Sequence, residues 1–414
     1  MIHHFFPSPE VSERLYAGPL SDQIDRFARR LLDQGYATKT AQDKIRLVAD
    51  LSRWLERKQL KVKDLDEQRI NEYLKFRAIH HAPNRYEQAT FRALLRQLRN
   101  DGVIRICAPV VSDSALDRIE NSFGRYLAQE RGLTQTTVDN YLPIIRRFLT
   151  VRFDANVILL EELVSEDITR FILRHAHTGS PRRAQLMVTA LRSFLRFIYQ
   201  RGQTATNLSM CVPTVANWDL SELPKFLKPE EVERLLESCD KRSPIGQRDY
   251  AVLLLLARLG LRAGEVVHMV LEDIDWEAGE LIIRGKSARQ DHMPLLQDVG
   301  EALATYLYHG RPHCSSRRVF IRQLAPRKGF SSSTAIGDIV RRAFARTGLQ
   351  RTYKGAHLLR HSLATQMVNQ GASLNEIGEI LRHQQPHTTE IYAKVNLVAL
   401  RNLAQPWPGG LNHE

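Results

Sequence analysis

Apolar positions recur every three to four residues through the first half of the chain. In "IDRFARRLLDQGYATKTAQDKIRLVADLSRWLERKQL" (residues 24–60) they trace two amphipathic helices broken at Gly35, with arginines and lysines on the polar faces. "FGRYLAQERGLTQTTVDNYLPIIRRFLTVRF" (residues 123–153) repeats the pattern. At a constant offset of 97, Gly35, Thr40, Ile45, Val48 and Leu51 fall opposite Gly132, Thr137, Leu142, Ile145 and Phe148. Further on, "RINEYL" lies opposite "DITRFI", and "ALLRQLRNDG" opposite "ALRSFLRFIYQRG". This reads as a duplicated small all-helical module. The competing reading is that basic amphipathic helices match one another on periodicity alone.

Turn chemistry marks the boundaries. "CAPVVSDS" (residues 107–114) separates the two helical units, and the proline-containing "CVPTVANWDLSELPK" (residues 211–225) reads as a linker. Beyond it a helix at "KPEEVERLLESC" precedes the apolar "YAVLLLLARLG", and "GELIIRGKSARQDHMPL" (residues 279–295) gives two short strands around a polar turn. The expected division is an N-terminal helical module (1–108), a second helical domain (113–210), a linker (211–224) and a last domain with a C-terminal tail (225–414). The fold class is mainly α, with a small antiparallel β-sheet in the last domain.

Near the C-terminal end, two histidines and an arginine crowd one turn of "HLLRHSLAT". At 100° per residue, His357, Arg360, His361 and Ala364 share one stripe, while Leu359 and Leu363 face away. Gly371 fits a left-handed C-cap, and Ser373 with Glu376 fits a capping box for "LNEIGEILRH", which delivers His383. A "QQPH" turn then leads to Tyr392.

Charge narrows the partner. The 414 residues are 43% hydrophobic, enough for two or three cores, and carry a formal net charge of +13 with a pI near 9.7. That balance points to a polyanion, most often nucleic acid. The longest apolar run, "YAVLLLLA", falls far short of the roughly 20 residues a membrane span needs. "MIHHFFPSPE" lacks the basic-then-apolar order of a secretion signal. Cys107, Cys211, Cys239 and Cys314 are scattered, which argues against a zinc ribbon or disulfide framework and fits a reducing cytoplasm.

His357-Leu-Leu-Arg360, the "LRH" ending at His383, and Tyr392 nine residues later resemble the second motif box of the tyrosine recombinase (phage integrase) family. Gly260-Leu261-Arg262 with Glu265 resembles the first box. Gly285-Lys286 followed by Pro294-Leu295 resembles the family's β-hairpin lysine. The likeness runs from about residue 223 to 395, and residues 113–205 more weakly resemble the family's core-binding domain. It implies six catalytic residues, Arg262, Lys286, His357, Arg360, His383 and Tyr392, with no cofactor and no metal. Also implied are helical modules that clamp double-stranded DNA, a homo-tetramer across two DNA sites, other recombinases as possible partners, and a cytoplasmic, nucleoid-associated location. The tail "NLVALRNLAQPWPGG" is expected to dock on a neighbouring protomer.

The chemistry accounts for these residue types. The Tyr392 phenol, with a reference pKa of about 10, is a weak nucleophile for a phosphodiester. Guanidiniums suit the non-bridging oxygens of the transition state, an ammonium on a hairpin can protonate the leaving 5′-oxygen, and imidazoles can relay the phenol proton or donate to the phosphate. A 3′-phosphotyrosine conserves the bond energy without ATP. The alternative with the same chemistry is a type IB topoisomerase. A metal hydrolase is a third reading, since His357/His361 and His383/His387 are i, i+4 pairs, but the glutamate of H-E-x-x-H is missing. His361 and His387 lie outside the six, and His361 reads as a core hydrogen-bonding residue. Two positions depart from the family pattern: Arg382 stands where Leu-Gly-His has glycine, and Asp291 where the hairpin often carries a basic residue. They place the chain in a divergent branch, of the kind carried by mobile elements.

Overall fold

The structure is a computed structural model that describes residues 2–79, 81–82, 84, 86–105, 114–153, 157–176, 180–215, 224–285, 290–351, 353–385 and 387–395. The chain divides into two compact units, residues 1–105 with 222–414, and residues 106–221.

In the first unit, residues 2–105 build a helical module with its own core. It comprises α1 (Pro9–Leu15), α2 (Ser21–Asp33), α3 (Thr38–Arg57), α4 (Glu67–Ala78) and α5 (Glu87–Asn100). Ile24, Phe27, Ala28 and Leu31 line one face of α2, and Ala41, Ile45, Val48 and Leu55 line one face of α3, all buried. This is the helical period that the sequence displays. Trp54, Tyr73 and Phe91 continue the core as an edge-to-face chain at 5.6 and 5.5 Å.

The second unit holds α6 (Ala115–Arg125), α7 (Gln135–Arg152), α8 (Ser165–Ala176) and α9 (Pro181–Gln200). Its core joins Phe123 to Phe194 and Phe148 to Phe171, each pair at 5.2 Å. Apart from α1, which has no counterpart, the four helices α2–α5 and the four helices α6–α9 follow the same order. Each has a left-handed glycine before the second helix, Gly35 (φ +71°) and Gly132 (φ +61°). Each has a 3₁₀ turn before the third, at Val62–Asp64 and Leu160–Glu162. Each has a left-handed glycine after the fourth, Gly102 and Gly202.

The remainder of the first unit contains α10 (Pro229–Glu237), α11 (Pro244–Arg258), α12 (Ala263–His268), β1 (Ile274–Asp275), β2 (Glu280–Arg284), β3 (Gln290–Pro294), α13 (Gln297–Thr305), α14 (Thr334–Thr347), α15 (Ala356–Asn369), α16 (Leu374–Ile380) and α17 (His387–Glu390). The apolar run lies on α11, where Leu253 through Leu256 are buried on every side. The strands form an antiparallel sheet in the order β1-β2-β3, with Leu281 opposite Met293 and Ile283 opposite Asp291. The two expected strands are β2 and β3; β1 is too short to leave a periodic signature. Ala364, Val368, Ile377, Leu381 and Tyr392 form a small separate core among α15, α16 and the segment after α17. Among the described residues, no helix is long and apolar enough to cross a membrane.

Candidate active site

Gly260 ends the segment after α11 in the left-handed region at φ +58°, and a Cβ there would come within 2.7 Å of the Leu381 side chain. Glycine is the residue that satisfies both constraints. Two positions later, Arg262 caps α12. Its backbone N–H donates to Glu265 Oε2 at 2.8 Å, and its Nη1 donates to Glu265 Oε1 at 2.8 Å. The acid three residues after the arginine therefore both caps the helix and aims the guanidinium.

Arg360, on α15, is 4% exposed, and its guanidinium donates to the carbonyls of Gly260 and Leu381. Arg262 Nη2 donates to the Arg382 carbonyl at 3.3 Å. Both arginines thus grip one turn, the one that closes α16.

That turn is a Schellman motif: Arg382 N–H donates to the Glu379 carbonyl at 2.9 Å and His383 N–H to the Gly378 carbonyl at 2.8 Å. Its left-handed position is Arg382, at φ +54°. A non-glycine residue there costs about 1–2 kcal/mol. The α16 helix stops at Ile380, so His383 is delivered by the turn and not by the helix. The Ser373–Glu376 capping box and the left-handed Gly371 (φ +91°) form as expected.

His383 Nδ1 lies 2.8 Å from Thr389 Oγ1, and its ring is parallel to that of Tyr392, with centroids 6.5 Å apart. Tyr392 is 1% exposed, with its hydroxyl 2.7 Å from His361 Nδ1. His361 in turn lies beside His357, with ring centroids 6.4 Å apart. Arg262, Arg360, His383 and Tyr392 therefore converge, and His357 joins them through His361. Lys286 lies outside the described residues, as do Cys107 and the tail from residue 396. His361 is the residue that motif reading undervalued. The signal for it was present, because it shares the stripe of His357 and Arg360.

Burial pushes the Tyr392 phenol up to about 12, against the pull of the Arg360 charge. Burial, with the charges of His357 and Arg360, pushes His361 down to about 4. His383 also falls to about 4, through burial and then the nearby guanidiniums. Arg360 is lowered to about 10 by burial and by Arg262 and Arg382. Burial pushes the Glu265 carboxyl up, but Arg382 and Arg262 outweigh it and hold it below its ordinary value. Three guanidiniums around one carboxylate leave a positive excess, which an arriving phosphodiester would neutralise. Among the described residues, no cluster of three or more His, Cys, Asp or Glu side chains could hold a metal ion.

Both imidazoles are neutral when folded and titrate near 6.5 when unfolded. Their depressed values mean that the unfolded chain binds more protons between these limits. Stability is thus complete above about pH 6.5 and falls as the pH drops toward 4. His361→Gln should flatten that decline, which urea-unfolding midpoints at pH 7 and pH 5 would reveal.

Residues 225–397 match the phage integrase family, and residues 121–202 match its N-terminal SAM-like domain. An integrase/recombinase of Sinorhizobium fredii, y4rA, is 43% identical over 95% of this chain and 95% of its own length. The tyrosine recombinase XerC of Bacillus subtilis is 30% identical over 68% of this chain and 92% of its own. In fold, the chain resembles the XerH site-specific recombinase in a post-cleavage complex with its difH substrate (TM-score 0.54, 19% identity, 81% of this chain and 93% of that one). Fold and relatives define an enzyme that breaks and rejoins DNA. The chain belongs to the tyrosine recombinase (phage integrase) family. Its relatives are recombinases, which disfavours the topoisomerase alternative.

Proposed function

We propose that Arg262, Lys286, His357, Arg360, His383 and Tyr392 perform the cleavage, and that the protein exchanges strands between two double-stranded DNA sites. The reading is carried by the convergence of Arg262, Arg360, His383 and Tyr392 on one turn, from segments up to 130 residues apart. The Tyr392 oxygen attacks phosphorus and its proton passes by way of His361, its hydrogen-bond partner, to His357. The bond from phosphorus to the 5′-oxygen breaks, and Lys286 protonates that oxygen. Arg262 and Arg360 hold the non-bridging oxygens, each contributing about 3–4 kcal/mol to the transition state. His383 donates to the phosphate. Attack by another strand's 5′-hydroxyl reverses the sequence and releases the tyrosine.

Exchanging both strands of two duplexes takes four cleavages, so four protomers with one tyrosine each make a homo-tetramer the natural assembly. Residues 2–105, whose helices α2–α5 repeat the order of α6–α9 in the SAM-like module, are proposed as a second DNA-contacting module of the same ancestry. Mapping covalent protein–DNA junctions in cells that carry the encoding DNA tests the function. Junctions should cluster at two sites whose flanks become exchanged. Junctions scattered without exchange would favour relaxation of supercoils instead. Cleavage should persist in excess EDTA.

Binding should be strongly salt-dependent. A clamp that makes about 6–10 phosphate contacts loses roughly 10³–10⁵ in affinity between about 50 and 200 mM salt. Deleting residues 1–105 should flatten the slope of log affinity against log salt. An unchanged slope would make the first module a protein-interaction domain.

A further inference from the structure

The two positions at which the sequence departs from the family pattern, Arg382 and Asp291, meet in the fold. The Arg382 side chain is only 6% exposed, and it turns inward. Its Nη2 donates to Glu265 Oε2 at 2.8 Å, opposite the oxygen that holds the Arg262 guanidinium. Its Nη1 lies against the Met293 sulfur, on β3. Asp291 is two residues earlier on β3, so it points to the same side of the strand as Met293. The half-buried Asp291 carboxylate is close enough for its charge to act on the Arg382 guanidinium. The Arg382 Nε is buried without a hydrogen-bond partner among the described residues. The guanidinium is therefore held by the Glu265 carboxylate on one side and by the strand on the other. That strand begins four residues after Lys286 in the sequence, and its first residue, Gln290, pairs with Arg284.

We infer that Arg382 and Asp291 are a compensating charge pair, in which Arg382 acts as a positioning residue that ties the lysine hairpin to the Arg262–Glu265 pair. A glycine at 382 would relieve the left-handed backbone but leave Glu265 with one guanidinium and take the Arg382 charge away from Asp291. A basic residue at 291 would set a second cation against Arg382. Asp291 thus adds to Glu265 as a second carboxylate whose charge offsets the Arg382 guanidinium. Arg382 is thus not a phosphate ligand, since its fork is already occupied and covered. It acts on the reaction by holding β3, the strand that follows the Lys286 segment in the chain.

The proposal rests on the assignment of Lys286 as the acid, so its test separates the two. Arg382→Gly, Asp291→Arg and the double variant of the full chain would be compared in urea unfolding and in cleavage of a nicked suicide substrate. Arg382→Gly relieves backbone strain but removes a buried ion pair, and the urea unfolding shows how far the variant stays folded. Each single variant should cleave normal DNA at least about tenfold more slowly, and the double variant should return to within about threefold of the parent. With sulfur in the 5′-bridging position, where the leaving group needs no proton, Arg382→Gly should recover most of its rate. Single-variant losses that simply add in unfolding and multiply in cleavage would overturn the pair. An Arg382→Gly defect that persists with sulfur would overturn the positioning role. A Lys286→Ala control that sulfur fails to rescue would fault the acid assignment alone, because the coupling in unfolding stands without it.

Discussion

On a nicked suicide substrate, Tyr392→Phe should bind DNA with unchanged affinity and leave no protein–DNA adduct after denaturation. The expected loss is complete, because no other phenol in the small core around α15 and α16 takes its place. Phenylalanine keeps the ring that lies parallel to His383 and removes only the hydroxyl beside His361. The fold therefore keeps its packing, and the urea midpoint should change little. An adduct that survives denaturation in this variant would move the nucleophile to another residue.

The second large effect concerns Lys286. In the sequence it follows Gly285, just beyond β2 and 24 residues after Arg262, and its proposed role is to protonate the leaving oxygen. Lys286→Ala should slow cleavage of normal DNA by about 10²–10⁴-fold, the range for losing a positioned proton donor. A thiolate leaves without a proton, so a 5′-bridging sulfur should restore most of the rate. Arg262→Ala should show no such recovery, because its loss is felt on the non-bridging oxygens. Equal defects for both variants on the sulfur strand would make Lys286 an electrostatic residue and send the search for the acid elsewhere.

How far the site could be read from the sequence depended on what fixes each residue. Gly260, Arg262 and Glu265 are fixed by local backbone demands, a left-handed turn and a helix cap, and these leave a spacing that a linear motif preserves. The same holds for Gly371, Ser373 and Glu376. The helical face of α2 was legible because its buried residues lie on one side, whereas α3 buries Leu47, Val48 and Ala49 in succession and packs on more than one side. The helix α15 is different. Leu358, Leu359, Arg360, Ser362 and Ala364 are all buried, so stripe arithmetic could place His361 beside His357 but not say what it touches. Its contact with Tyr392 spans 31 residues and depends on how α17 returns the chain. Likewise, Arg382 was visible as a misfit, but its meaning lay in a carboxylate 117 residues away. Long-range polar contacts of this kind leave no periodicity to detect.

With Tyr392 as the proposed nucleophile, its burial would set a speed limit. A phenol that is 1% exposed meets no phosphodiester until the short segment around it, residues 387–395, lets it out. Turnover can then be no faster than that opening, however well the arginines stabilise the transition state. On the same proposal, a sheathed nucleophile would pass other phosphodiesters without nicking them, and fidelity would begin with how seldom the segment opens away from its proper site.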